Sequence, residues 1–148
     1  MEYGFDDEIK EENQQEEEKV ISLDEKKKRK PFAYWTVGGK DYKLKLTTAS
    51  IVKLEEKFKR NLLTVLESSG IPPLAVMLTI TQAAMKDWEH GIKYETVQKL
   101  FDQYCDEGGT QLTFMMDVLM EIFKVSGFFS ESQMEAMDDR IQDAKELL

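Results

Sequence analysis

Hydrophobic and polar residues alternate around a Gly-Gly pair early in the chain. A run with Phe32, Tyr34, Thr36 and Val37 leads into Gly38 and Gly39, and after them Tyr42, Leu44 and Leu46 alternate with Lys43 and Lys45. Two glycines permit the positive φ angles of a tight hairpin turn, and a period of two is typical of a strand with one buried face. Because a lone hairpin cannot bury that face, the pattern predicts a β-hairpin covered by downstream helices.

After the hairpin, apolar residues recur at steps of three and four, which is the spacing of amphipathic helices. The predicted helical segments run from Thr47 or Thr48 to about Asn61, over Leu62 to Leu66, from Pro72 or Pro73 to Gly91, from about Tyr94 to Asp106, from about Thr110 to Ser126, and from Ser130 to Leu148. We expect Tyr42, Leu44 and Leu46 to face the third segment, at Met77, Leu78 and Met85. The predicted fold class is mainly α (α+β): an N-terminal β-hairpin packed on a bundle of about five helices, preceded by a disordered acidic tail.

The net charge of -9 is concentrated at the two ends of the chain. The segment from Glu2 to Glu18 is dense in carboxylates and poor in apolar residues, so it cannot bury enough surface to offset its chain entropy. The basic run from Lys26 to Lys30 is interpreted as solvated linker, since no nucleic-acid module accompanies it. The predicted organisation is a disordered charged tail at 1–30, a hairpin plus helical domain at 31–129, and a C-terminal amphipathic helix at 130–148.

The sequence offers little for catalysis, metal binding or membrane insertion. One cysteine, Cys105, and one histidine, His90, cannot form a Cys/His zinc cluster, and the acids beside His90 are expected to form a solvated helix end. The apolar stretch from Ile71 to Ile80 is too short for a bilayer span, and the acidic N-terminus lacks signal-peptide features. We therefore expect an intracellular protein that is not an enzyme, has no cofactor or metal, and binds neither nucleic acid nor membrane.

Methionines in the last third of the chain are the compositional hint about activity. They either fill gaps in the core or form an adaptable surface that grips apolar segments of another protein, and the sequence leaves both open. Two adjacent aromatics after a glycine strengthen the second alternative, because both cannot easily point into one core. The candidate partner-binding residues are Met115, Met116, Leu119, Phe128 and Phe129.

Four short motifs in a fixed order carry a resemblance to a known family. They are Gly38 to Leu44, Leu54 to Glu56, Asp106 to Gly109, and Ser126 to Phe129. Over residues 32–129 the chain resembles the small tail assembly chaperones of long-tailed (siphovirus-type) bacteriophages or prophages.

This resemblance implies a non-enzymatic protein of the host cytoplasm that is absent from the mature virion. Such a protein would bind the tape measure protein, assist polymerisation of the tail tube protein, and in some cases have a longer frameshifted form. Self-association is left open. The alternative hypothesis is a small acidic adaptor or regulatory protein that captures a host or phage protein.

Overall fold

The computed structural model describes residues 30–67 and 70–147, so nearly all of the predicted disordered tail lies outside the described residues. The elements are β1 (Ala33–Val37), β2 (Lys40–Leu44), α1 (Thr48–Phe58), α2 (Thr64–Glu67), α3 (Leu74–Met85), α4 (Tyr94–Asp106), α5 (Gln111–Phe114), a π-helical turn (Met115–Leu119), α6 (Met120–Val125) and α7 (Glu131–Glu146). A hairpin followed by helices confirms the predicted fold class. The segment Pro31–Leu148 forms one compact unit.

Gly38 and Gly39 form the hairpin turn, with φ angles of 60° and 77°. Antiparallel pairing of β1 with β2 sets Trp35 opposite Tyr42. The backbone N–H of Gly38 donates a hydrogen bond of 2.9 Å to the carboxylate of Glu107, just past the end of α4. The turn is therefore fixed to the helical part of the molecule.

The hairpin buries one face, as a period of two requires. Leu44 is fully buried and Leu46 is 2% exposed, which confirms the inner face predicted for the second strand. The inner face of β1 consists of Ala33, Trp35 and Val37. The apolar series that begins at Phe32 and Tyr34 therefore lies on the outer face, where Tyr34 is 53% exposed.

Two helices end earlier than the sequence predicts. Helix α1 begins after its N-cap Thr47, as predicted, but it ends at Phe58 because Lys59 adopts a left-handed conformation with φ 55°. Helix α3 ends at Met85 rather than at Gly91. From Lys86 to Gly91 the chain continues in turns, and Gly91 has φ 70°.

Helix α3 contributes more buried residues to the core than any other single helix. Its buried residues are Met77, Leu78, Ile80, Thr81, Ala84 and Met85. The backbone N–H of Lys45 donates to the carbonyl of Ala84 at 3.0 Å, which joins the exit of the hairpin to α3. No helix in the described part of the chain is both long and apolar enough to span a bilayer.

Candidate partner-binding surface

The five residues predicted to bind a partner divide between the interior and the surface. Leu119 is fully buried in the core, and Met116 is 4% exposed. Met115, Phe128 and Phe129 are half-buried and pack against the core. In this conformation Leu119 and Met116 stabilise the fold, and only the other three present side-chain surface that a partner can reach.

Phe128 and Phe129 continue a row of aromatic rings from the core toward the surface. The ring centroids of Phe123 and Phe128 lie 4.7 Å apart, and those of Phe128 and Phe129 lie 6.5 Å apart. Gly127 has φ 88°, a left-handed conformation that ends the preceding helix and turns the chain. The core thereby anchors Phe128 and places Phe129 beside the start of α7.

A π-helical turn, Met115–Leu119, joins α5 and α6 into one continuous helix. The turn accommodates an extra residue, which rotates the side chains on either side of it relative to a regular α-helix. Met116 and Leu119 are buried, whereas the carboxylate side chain of Asp117 remains 46% exposed. The turn therefore presents an acidic group on the outside of a helix that otherwise faces the core.

Helix α7 runs antiparallel to the π-helical turn and α6, and one ion pair joins it to each of them. The ammonium of Lys145 lies 2.5 Å from the carboxylate of Asp117, and that of Lys124 pairs with Asp138. Helix α7 begins with a capping box, in which Ser130 and Gln133 satisfy each other's backbone N–H groups. No residue of α7 is buried. The helix therefore rests on the surface without contributing to the main core.

Lys124 is the one buried cation among the described residues. Burial disfavours its charged form, but hydrogen bonds from the ammonium to Asp138 and Glu121 outweigh this cost and raise the pKa of Lys124 above its ordinary value. The Glu121 contact, at 2.9 Å, comes from the same helix, so Lys124 keeps one carboxylate partner independently of α7.

Methionines are concentrated in the π-helical turn, at the start of α6 and in α7. Met116 is buried yet is not part of the contiguous core cluster, and Met120 is half-buried. On α7, Met134, Met137 and Ile141 are half-buried and recur at steps of three and four, on the side that carries Asp138 and Lys145. These three residues therefore lie on the face of α7 that carries its ion pairs, and none of them packs against the main core.

Other residues weighed for chemistry from the sequence lie apart from this surface. Asp87 and His90 are exposed in the turns after α3. Cys105 is also exposed; desolvation and then the carboxylates of Asp102 and Asp106 raise the pKa of its thiol, which disfavours the nucleophilic thiolate. Within residues 30–67 and 70–147 no cluster of three or more His, Cys, Asp or Glu residues is arranged to hold a metal ion.

Comparison with known proteins identifies a family. The model of a family of unknown function, DUF6096, matches residues 27–147. The chain belongs to DUF6096. No curated protein matches the chain. No solved structure matches it either.

This member of DUF6096 also carries an aromatic and basic cluster that we did not predict from the sequence. On the outer face of the hairpin, the rings of Phe32 and Trp88 meet edge to face at 4.9 Å. The ammonium of Lys43 lies 4.5 Å from the centre of the Phe32 ring, and that of Lys45 lies 5.5 Å from it. The alternation of the strands indicates that Phe32 and Lys43 share the outer face of the hairpin. Trp88 is distant in the sequence and joins them only through tertiary packing.

Proposed function

We propose that this DUF6096 protein is a tail assembly chaperone, which binds the tape measure protein and assists tail tube polymerisation without catalysing a reaction. It acts in the host cytoplasm and does not remain in the mature virion. The resemblance of residues 32–129 to such chaperones supports this function. The proposed partners are the tape measure protein and the tail tube protein.

The observation that carries the proposal is the aromatic row at the start of α7. Phe128 and Phe129 pack on the core with one side and retain exposed surface on the other, next to a helix that has no buried residue. Amphipathic helices dock on other proteins through a few apolar anchors in a groove, and methionines allow such a groove to adapt to different sequences. A long helical tape measure protein offers many such segments.

The charge of the chain also suits a chaperone. A net charge of -9 repels other copies and keeps the protein soluble. A complex with an apolar partner would inherit this charge, which would oppose aggregation of the partner before the tail tube encloses it.

A retention assay with purified proteins tests the proposed site. The immobilised chain should retain the tape measure protein encoded in the same genome. Phe129→Ala should lower retention at least about tenfold, because it truncates an aromatic anchor. Its melting temperature should stay within a few degrees of wild type, since Phe129 is only half-buried.

Tyr34→Ala is the matched control. It also removes an aromatic ring with exposed surface, but on the outer face of the hairpin, and retention should be unchanged. Equal losses in the two variants would exclude the Phe129 surface as the site. If the wild type retains no tape measure protein, the proposed function is wrong and the acidic adaptor hypothesis takes its place.

A further inference from the structure

The two ion pairs that join α7 to the π-helical turn and to α6 have matching spacings. Asp117 and Lys124 lie about two helical turns apart on one helix, and their partners Lys145 and Asp138 are separated by the same number of residues on the other. Lys145, near the end of α7, therefore lies opposite Asp117, and Asp138, one heptad earlier, lies opposite Lys124. The two ion pairs have opposite polarity, so together they favour an antiparallel helix in one register.

Helix α7 contributes no side chain to the core. Phe128 and Phe129 are half-buried and pack against the core. No described side chain of α7 packs against it. When α7 leaves, Lys124 keeps its contact with Glu121, and Asp117, already 46% exposed, is solvated. Departure of α7 would therefore leave no unpaired charge in the core.

We propose that α7 occupies, within its own chain, the surface on which a partner helix docks, and that the partner replaces α7. The partner helix would carry a carboxylate opposite Lys124 and, about two turns toward its own C-terminus, a cation opposite Asp117, with apolar residues between them. This inference rests on the proposed function only for the identity of the partner. The occupant is an amphipathic helix that repeats the pattern of α7.

A labelled peptide of residues 130–148 tests whether the surface accepts a helix added from outside. In the wild type, the attached α7 competes and the peptide should bind weakly. The double variant Asp138→Lys/Lys145→Glu opposes like charges at both ion pairs while keeping the net charge, so its own α7 should detach. The full-length variant should bind the peptide at least tenfold more tightly than the wild type does.

The control exchanges the same charges on the outward side of α7. Asp139 and Arg140 are exposed, and Asp139→Lys/Arg140→Glu also keeps the net charge. This control should bind the peptide as weakly as the wild type. A peptide with both Asp138→Lys and Lys145→Glu should lose affinity for the charge-reversed chain at least tenfold. Equal affinity of the three chains for the native peptide would overturn the inference.

Hydrogen exchange of the wild type provides a second test that needs no variant. If α7 opens by itself, its amides should exchange at least a hundredfold faster than those of α3. Equal protection of α7 and α3 would mean that α7 leaves only on global unfolding, and would overturn the inference even if the charge-reversed chain does not fold.

A competition arm separates this inference from the proposed function. Tape measure segments with the α7 charge pattern should displace the labelled peptide from the charge-reversed chain. If the peptide binds but no tape measure segment displaces it, the tape measure protein is the wrong partner while the exchange of α7 stands. If tape measure segments bind the wild type and the charge-reversed chain equally, the partner does not replace α7.

Discussion

Placing a carboxylate at Leu44 perturbs the structure where the hairpin meets the helical core. Leu44 is fully buried on the inner face of β2, opposite Ala33. Leu44→Asp removes a buried leucine side chain, which alone costs about 2 kcal/mol, and places a carboxyl group in an apolar site where no partner is available. The group would stay protonated, which limits but does not remove the penalty. We expect a loss of about 4 kcal/mol in the free energy of unfolding.

Lys43→Glu is the matched control on the opposite face of the same strand. It removes the contacts of the Lys43 ammonium with the rings of Phe32 and Trp88, which are 4.5 and 5.9 Å from it. Such exposed contacts are worth about 0.5–1 kcal/mol. The variant should therefore lose about 1 kcal/mol or less.

Urea unfolding followed by circular dichroism gives both values from the transition midpoints, provided that the slopes agree. For a domain of this size, about 4 kcal/mol corresponds to a fall in melting temperature of roughly 15 °C. Equal losses in the two variants, or a larger loss for Lys43→Glu, would mean that the strand register is wrong by one residue.

Three further predictions follow from buried or crowded positions. Leu119→Ala should cost about 2–5 kcal/mol in a urea titration, because Leu119 is fully buried; a loss below about 1 kcal/mol would return it to the surface. Gly109→Ala should lower the melting temperature, because a Cβ there would overlap the ring of Tyr104; an unchanged value would contradict that packing. The pKa of Lys124 is raised, so its ion pairs stabilise the fold fully below pH 10.5, and this stabilisation is lost as the pH rises through the higher folded-state pKa. Lys124→Met should remove this alkaline loss of stability when the free energy of unfolding is measured against pH. An alkaline profile identical to that of the wild type would refute the prediction.

Local signals in the sequence predict the start of most elements well. The Gly-Gly turn and the caps at Thr47 and Ser130 act within a few residues, so they are legible without the fold. The ends of α1 and α3 were placed too late, because no strong local signal fixes them. Lys59 adopts a left-handed conformation that its residue type does not predict.

The candidate surface could be predicted only in part. The pair Phe128 and Phe129 stands out beside a glycine, and both keep exposed surface. Met116 and Leu119 could not be assigned to the interior, because apolar side chains on an amphipathic helix fit either a core or a docking surface. The register of α7 depends on ion pairs such as Asp117 with Lys145, which join residues far apart in the sequence.

Solubility of the tape measure protein on co-expression is the most direct test of the proposed function. The tape measure protein would be expressed in bacteria alone, with the wild-type chain, or with Phe129→Ala. We expect the tape measure protein to aggregate alone, to stay soluble with the wild-type chain, and to aggregate with a folded Phe129→Ala variant. A tape measure protein that is soluble without this chain, or that aggregates equally with and without the wild type, would contradict the account.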